Sequence, residues 1–569
     1  MTSQKVIGLP DAVKTFIRPD ITLHFSFTHN RPMAFAYEMI RQFRRQKLNL
    51  ELVGTGFLEY AAVLIAAGYV RKLTGAFVGQ TYPRPKPYKM VQQMLREGQL
   101  EIEWWTNLTM CQRFMAAAYG FPMIPTQSLK GSSLFDDLHR RGKAFIVNRH
   151  EKDVVLIDSC IPDVAIVHAA MADEEGNAVV PPPYGENLWG VWAARQVIVT
   201  TEKLVPSEQI RRLSHLVRIP GHLVDAVVEV PFGAHPYGVS PIGLQHGGYK
   251  EDYAFRTDLN KALDRGTDIF EWMSKWRLDQ SHEAFLQAHA NRLQQLHVPA
   301  MGNSPVLPTL KDKVRINPQE AISKREMTAV MASRVIVQKV IENDIKTLLA
   351  GIGISHLAAW MSQKILERKG YDVKLLTETG YYGYKPAFGD PYIFNFDNLY
   401  TNFMQSDFVE ILGQIVPDLN HRCLAVLSAA QIDRNGNLNS TFIADAKMYL
   451  VGSGGANDIS CTAYDIVSII DGGLEKFVHT LPYVTAPGQR IRTVVTPVGV
   501  FERDNEQQNF AITRLMPGFD DQTALELEKL CSITGWKHGN WKNMDVFDPP
   551  TNDEILLLRS FDPENIFLK

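Results

Sequence analysis

"IKTLLAGIGISHLAAWMSQKILERKGYDVKLLTETG", residues 345–380, is a stretch in which the spacing of the hydrophobic residues changes twice. A run typical of a buried strand leads through a glycine loop into an amphipathic helical pattern, and a second hydrophobic run then ends in Thr-Gly. Strand, helix and strand in this order predict a βαβ unit with two parallel strands in one sheet. Residues 21–56, "ITLHFSFTHNRPMAFAYEMIRQFRRQKLNLELVGTG", have the same order, so we expect two α/β domains.

A second pair of segments supports a duplication. "DVAIVHAAMADEEGNAVV" (163–180) and "RCLAVLSAAQIDRNGNLNS" (422–440) each run from a hydrophobic strand through paired alanines into Asp-x-x-Gly-Asn. The aspartate can accept hydrogen bonds from its own backbone, and Gly176 or Gly436 supplies the positive φ of a short hairpin connection. We therefore predict an α/β fold of two similar open domains, a tandem duplication with the active site between them.

The chain also carries a signal for the boundary between these domains. Its 569 residues are more than one ordinary core accommodates. A stretch rich in proline and polar residues follows a long helical pattern, which predicts a linker at 298–320. We place the first domain at 1–297 and the second at 321–569.

Composition narrows the class of partner. A net charge of -3 gives no basic surplus for holding nucleic acid or an anionic membrane. The sequence shows no secretory signal and no run of about 18 apolar residues. The 5 cysteines are odd in number and never spaced as CxxC, which argues for reduced thiols. We expect a cytoplasmic protein that binds neither nucleic acid nor membrane.

Glu378 ends the second strand of the 345–380 unit. Taken alone, it is a charged residue at a solvated strand end. Ligands of parallel α/β sheets, however, bind beyond the carboxyl ends of the strands, where the loop from Gly353 to His356 should also lie. A second candidate partner of Glu378 is "MYLVGSGGANDISCTAYD" (448–465), whose glycines allow backbone N–H groups to converge on an anion, although glycine turns after strands are also common as purely structural features.

Two other kinds of site find less support. A dinucleotide site would need G-x-G-x-x-G, but His356 occupies the place of the third glycine after Gly351 and Gly353, which weakens a Rossmann oxidoreductase without excluding it. The 16 histidines include no H-x-x-x-H pattern and have no cysteine partner, so we predict no metal.

The ordered motifs resemble a known family. The set "GIGISHLA", "LLTETGYYG", "DRNGNLNST" and "GSGGANDI" is similar to the β half of family I coenzyme A transferases. Four other segments are similar to the α half of the same family: "HNRPMAFAYEMIRQ", "FMAAAYGFPMIPTQSLKGSSL", "DVAIVHAAMADEEGN" and "VDAVVEVPFGAHPYG". The resemblance spans most of residues 20–500, with the α and β halves fused in one chain, and is closest to the glutaconate CoA-transferase branch.

The resemblance implies ping-pong chemistry on Glu378. A glutamate with its ordinary pKa of about 4.3 is ionised at neutral pH and can attack an acyl-CoA thioester, giving an anhydride and CoA thiolate. The thiolate then attacks the Glu378 carbonyl, which leaves a glutamyl-CoA thioester and releases the first acid. An incoming carboxylic acid reverses these steps.

The resemblance also implies roles for other residues. We expect oxyanion or CoA contacts from backbone amides at Gly353, Ile354, Gly454 and Gly455, and from the side chain of Asn439, with Asn437 as its rival. We expect His29, Asn30 and Tyr381 at the substrate, although Asn30 is as well explained as the N-cap of a helix opened by Pro32 and Tyr381 as packing.

The leading hypothesis is therefore an enzyme, an acyl-CoA:carboxylate CoA-transferase. Its partners would be an acyl-CoA and a free carboxylic acid, with coenzyme A as substrate and no permanently bound cofactor, and the chain would form a homo-oligomer. One alternative is an acyl-CoA hydrolase that uses the same glutamate. The other is a non-catalytic acyl-CoA-binding protein.

Overall fold

The computed structural model describes most of the chain, in the ranges 5–82, 84–149, 152–241, 247–299, 320–443 and 448–568. We call residues 5–299 the first lobe and residues 320–568 the second lobe. Most of the predicted linker, 298–320, lies outside the described residues, so the predicted domain boundary stays a prediction.

The first lobe contains a seven-stranded parallel sheet in the order β13-β11-β8-β1-β2-β3-β4. The strands of the whole first lobe, including those outside this sheet, are β1 (Thr22–Phe25), β2 (Leu50–Phe57), β3 (Val70–Val78), β4 (Glu101–Trp104), β5 (Met123–Thr126), β6 (Ala144–Arg149), β7 (Lys152–Asp158), β8 (Val164–Ala169), β9 (Met171–Ala172), β10 (Ala178–Val179), β11 (Gln196–Thr201), β12 (Val217–Ile219), β13 (Ala226–Glu229), β14 (Gly248–Tyr249) and β15 (His297–Val298). Its helices are α1 (Leu9–Phe16), α2 (Met33–Gln42), α3 (Glu59–Ala66), α4 (Lys89–Arg96), α5 (Asn107–Ala118), α6 (Ser133–Arg140), α7 (Asn187–Ala193), α8 (Ser207–Arg212), α9 (Tyr253–Arg265), α10 (Ile269–Lys275), α11 (His282–Ala288) and α12 (Ala290–Leu296).

The second lobe contains a nine-stranded mixed sheet in the order β19-β18-β17-β16-β20-β25-β26-β27-β28. The strands of the whole second lobe, including those outside this sheet, are β16 (Thr347–Ala350), β17 (Lys374–Thr377), β18 (Tyr381–Tyr384), β19 (Met404–Gln405), β20 (Cys423–Leu427), β21 (Gln431–Ile432), β22 (Leu438–Asn439), β23 (Phe442–Ile443), β24 (Met448–Tyr449), β25 (Asp465–Ile469), β26 (Ile491–Val495), β27 (Gly499–Glu502) and β28 (Ala511–Leu515). Its helices are α13 (Lys324–Glu342), α14 (Ile354–Arg368), α15 (Phe396–Leu399), α16 (Phe408–Glu410), α17 (Ala456–Thr462), α18 (Asp521–Thr534) and α19 (Asn552–Phe561).

The two sheets share one topology, as the sequence predicted. The order β13-β11-β8-β1-β2 in the first lobe corresponds to β26-β25-β20-β16-β17 in the second. The sheets diverge beyond β2 and β17, because β3 and β4 continue in parallel whereas β18 and β19 turn back antiparallel. The central strands β8 and β20 are buried along their whole length, as in parallel sheets covered on both faces.

The repeated Asp-x-x-Gly-Asn segments form matching hairpins, β9–β10 and β21–β22. In each, the aspartate accepts backbone hydrogen bonds from the residues two and four positions later, at 2.8–3.1 Å. The glycines have φ of 93° at Gly176 and 78° at Gly436, in the region that favours glycine. The turn prediction is confirmed in both copies.

The lobes meet at the carboxyl ends of their strands. Val78, the last residue of β3, donates its N–H to the carbonyl of Val451 at 2.8 Å, and Asn107 donates to the carbonyl of Gly454 at 3.0 Å. A hydrophobic cluster that includes Phe27 of the first lobe and Leu376 of the second is continuous across this contact. No helix in the described ranges is both long and apolar enough to cross a bilayer.

Candidate active site

Glu378 is the first residue after β17 and is half-buried. Residues 378–380 form a tight turn, and β18 then runs back antiparallel to β17. Gly380 has φ of 118°, and a β-carbon at this position would lie 2.3 Å from the carbonyl oxygen of Ser406. Only glycine fits there, so the turn that presents Glu378 at the strand end requires the glycine at position 380.

A cavity of about 380 Å³ lies between the lobes, and Glu378 is part of its wall. The first lobe contributes Phe77 and the loop that follows β3, and the second lobe contributes most of the rest. Gly353 and Ile354, predicted as CoA or oxyanion contacts, line it at the N-terminus of α14. The first N–H groups of a helix have no partner within the helix, so this end suits negative charge.

The glycine loop at residues 452–455 is attached to the first lobe. Gly454 donates its N–H to the carbonyl of Ala76 at 3.1 Å, and a β-carbon on Gly452 would lie 2.1 Å from the same carbonyl oxygen. The next amide points the other way, because the N–H of Gly455 donates to Oε2 of Glu378 at 2.9 Å. Of the two predicted donors, Gly455 is therefore the one whose N–H reaches the carboxylate.

A first-lobe side chain completes this arrangement. Asn107, at the start of α5, places its side-chain amide at the Glu378 carboxylate. The start of α5 is held by Asp458, whose carboxylate accepts from Thr106 Oγ1 and Ser128 Oγ at 2.6 Å each and from the backbone N–H of Leu108 at 3.1 Å. Asp458 thus fixes Asn107 relative to the second lobe.

The environment of Glu378 changes its acidity. Burial and, to a smaller extent, the negative charge of Asp458 together raise the pKa of Glu378 to about 7, against the hydrogen bonds of Gly455 and Asn107, which lower it. No lysine or arginine of the described residues forms an ion pair with this carboxylate. The expectation of an ordinary glutamate pKa is therefore wrong, because the strand end is desolvated.

Asn439 is buried, and its side-chain amide donates hydrogen bonds within its own lobe. Its amide Nδ2 donates to Gln431 Oε1 at 3.0 Å and to the carbonyl of Phe442 at 2.8 Å. Both N–H bonds are thus used, which contradicts the expected oxyanion contact. Its rival Asn437 donates to Asp433 and accepts from the N–H of Gly488, so it too serves the hairpin.

The predicted substrate contacts lie together, but inside the interface of the lobes. His29 Nε2 and the Tyr381 hydroxyl are 2.6 Å apart, both side chains are buried, and neither lines the described wall of the cavity. Asn30 donates to the carbonyl of His168. The N-cap explanation of Asn30 is wrong, because α2 begins at Met33 with Pro32 as its N-cap.

The sequence did not predict Asn107 or Asp458 as part of the site. Thr106 and Asp458 are 352 positions apart in the chain, and no local pattern links them. The one available signal was the Asp in "GSGGANDI", a charged residue within an otherwise apolar and small stretch. In the described part of the chain, no group of three or more His, Cys, Asp or Glu side chains is placed to hold a metal ion.

Comparison with known proteins finds several similarities to coenzyme A transferases. The profile "Coenzyme A transferase" matches residues 8–230. An uncharacterized protein of Archaeoglobus fulgidus is 35% identical over 240 residues, which cover 41% of this chain and 52%, about half, of that protein. Both polypeptides of the glutaconate CoA-transferase of Acidaminococcus fermentans also match. One is 26% identical over 52% of this chain and 96% of its own length, and the other is 30% identical over 26% of this chain and 60% of its own length.

A solved structure shares the fold over nearly the whole chain. It is an acyl-CoA transferase of Escherichia coli O157:H7, crystallised as a thioester complex with CoA. The TM-score is 0.62 at 17% identity, and the superposition covers 98% of this chain and 96% of that one. Both lobes together therefore correspond to one CoA-transferase fold.

Proposed function

We propose that the chain is a coenzyme A transferase and that it moves CoA between carboxylic acids through a thioester on Glu378. The observation that supports this most directly is the Glu378 carboxylate, which lies on the wall of the cavity between the lobes with the Gly455 N–H 2.9 Å from Oε2. A carboxylate held this way is free of any ion pair within the described residues and faces the space where a thioester would bind.

Each step of the proposed reaction forms one bond to carbon and breaks another. An oxygen of ionised Glu378 attacks the thioester carbonyl carbon, the carbon–sulfur bond breaks, and CoA leaves as thiolate. The thiolate attacks the Glu378 carbonyl carbon, the anhydride carbon–oxygen bond breaks, and the first acid leaves as carboxylate. The incoming carboxylate repeats the sequence in reverse and regenerates Glu378.

The residues around Glu378 suit the charge that forms. A tetrahedral intermediate on the Glu378 carbon carries an oxyanion; the Gly455 N–H already reaches Oε2 of that group, and the Asn107 amide lies beside it. A fixed donor of this kind contributes about 3 kcal/mol to transition-state stabilisation. The N-terminus of α14, at Gly353 and Ile354, would serve the oxyanion that forms on the acyl group.

The decisive test is to trap the intermediate. Incubation with an acyl-CoA should leave CoA on the peptide that contains Glu378, detectable by mass spectrometry after digestion. Addition of free carboxylic acids should then give new CoA thioesters. Trapping followed by free CoA alone would instead assign a hydrolase, and the absence of both would leave an acyl-CoA-binding protein.

The rate should depend on pH in the direction set by Glu378. Its carboxylate must be ionised to attack, and its pKa is about 7 because of burial. We expect the single-turnover rate of glutamyl-CoA formation to fall about tenfold per pH unit below that value and to level off above it. A rate that stays constant from pH 5 to 8 would contradict this assignment.

Two further features belong to the same proposal. We place the enzyme in the cytoplasm, supported by the five free cysteines, all in described residues. Self-association into a homo-oligomer stays a prediction, which light scattering on the purified chain tests.

A further inference from the structure

The strand β6 forms one edge of the small antiparallel sheet β5-β7-β6 in the first lobe. Among the described strands it pairs with β7, in continuous register. Phe145, Ile146 and Val147 follow one another along it and leave 38%, 49% and 43% of their surface exposed. Consecutive exposed apolar residues on a sheet edge are typical of a surface that another polypeptide covers.

Pairing with β7 decides which way the backbone groups of β6 point. Asp158 of β7 donates its N–H to the carbonyl of Lys143 at 3.1 Å, directly before β6 begins. Opposite residues in an antiparallel ladder alternate between hydrogen-bonded and non-hydrogen-bonded pairs. Phe145 and Val147 therefore bond to β7, whereas the backbone groups of residues 144, 146 and 148 point away from it.

Two of these outward positions are open to a further strand. The carbonyl of Ala144 lies 2.8 Å from Nδ1 of His139 and is thereby occupied. The outward N–H and C=O groups of Ile146 and Asn148 form no hydrogen bond within the described part of the chain. This edge therefore presents donors and acceptors in the spacing of a β-ladder.

Edge strands elsewhere in the two lobes carry features that prevent such pairing. β5, the other edge of the small sheet, contains Pro125, and β4 carries the exposed Glu101. β28 is bridged to a following segment at Lys537. Proline, charge and covering segments are the usual means of protecting an edge. In the described chain, residues 144–148 have none of these, so β6 is suited to pair with another strand.

We propose that β6 pairs antiparallel with β6 of a second copy of this chain, across a twofold axis at Val147. In this register the N–H and C=O groups of Ile146 bond to the C=O and N–H groups of Asn148 of the second copy, and the reciprocal pair does the same. A second copy suits this edge because the same two residues then satisfy each other's donors and acceptors.

The side chains of this edge also favour self-pairing. Residues 144–148, "AFIVN", carry no charge, so two copies place no like charges opposite each other. Val147 meets Val147 of the second copy at the axis, and β-branched pairs across a ladder are favourable. The proposal thus specifies the surface for the predicted self-association, and it does not depend on the reaction at Glu378.

Sedimentation equilibrium of the full chain tests the pairing. A dimer with a micromolar dissociation constant is expected, since one strand pair covers less than the about 800 Å² per partner of a standard interface. Val147→Lys places two ammonium groups opposite each other and should raise this constant by roughly a hundredfold or more. Leu419→Lys is the matched control, because it adds the same charge at a side chain that is 95% exposed in the second lobe, and it should leave the constant unchanged.

Cysteine cross-linking tests the register in a protein whose fold is little changed. Opposite residues of a non-hydrogen-bonded pair have Cα atoms about 4.5 Å apart, which a disulfide can bridge. Val147→Cys should therefore give a covalent dimer on mild oxidation, seen by non-reducing electrophoresis. Phe145→Cys, on the same face of β6, should not, because the register sets its two copies about 13 Å apart along the strands.

Several results would overturn the proposal. One is a parent chain that stays monomeric at every concentration, and another is an oligomer that Val147→Lys leaves intact. Equal cross-linking of Phe145→Cys and Val147→Cys would refute the register. A monomer that binds phosphatidylcholine vesicles through this edge would assign it to a lipid surface instead. The substituted residues of β6 do not line the cavity of Glu378, so thioester trapping should be the same in Val147→Lys and the parent whichever result is obtained.

Discussion

Glu378→Gln should lose CoA transfer by at least about a thousandfold, because an amide cannot attack the thioester and no other described carboxylate is equally placed. The glutamine has the same shape, and its carbonyl oxygen can still accept from the Gly455 N–H. The measurement is the initial rate of new thioester formation from an acyl-CoA and a free acid.

The stability of this variant separates chemistry from structure. The pKa of Glu378 is raised in the folded protein, so the folded state holds its proton more tightly than the unfolded state. The stability of the unmodified protein therefore falls as pH rises from about 4.5 through about 7. Glu378→Gln lacks this loss, so its free energy of unfolding should exceed that of the parent by more at pH 8 than at pH 5.

Glu528→Gln is the matched control, since it removes an exposed carboxylate on α18. Its rate should equal that of the parent protein. A Glu378→Gln variant with full transfer activity would refute the nucleophile assignment. A variant that has lost its folded structure together with its activity would show that Glu378 serves the fold.

Gly455→Ala should reduce the transfer rate by roughly a hundredfold or more. A β-carbon at this position would lie 2.2 Å from Glu378 Oε2 and 3.2 Å from the side chain of Leu412. The flexible carboxylate must move away, which breaks its hydrogen bond to the Gly455 N–H and shifts the nucleophile. Steady-state kinetics should show the loss mainly in kcat.

The fold should survive this change. Gly455 has φ of -94° and ψ of 2°, which alanine adopts without strain. Gly539→Ala is the control, because a β-carbon there meets only the end of Met544, at 3.4 Å, and the site is remote from the cavity wall. Parent-like rates in Gly455→Ala would mean that the 2.9 Å contact is not part of catalysis.

Much of the fold could be predicted because its signals are local. Hydrophobic period distinguishes a strand from a helix over a few residues, and glycines such as Gly176 and Gly436 mark turns that need positive φ. The duplicated strand order follows from two copies of these signals. The divergence of the sheet edges, parallel at β3 and antiparallel at β18, depends on long-range pairing that the period does not encode.

By itself, the sequence determined the two βαβ units, the strand end that carries Glu378 and the glycine loop that approaches it, since each depends on residues close together in the chain. Only the tertiary structure decided which groups meet at that carboxylate. The packing of the lobes brings in Asn107 and Asp458 and leaves both Asn439 N–H bonds occupied. The same packing partly buries Glu378 and so raises its pKa to about 7, because desolvation depends on everything that surrounds a group in space.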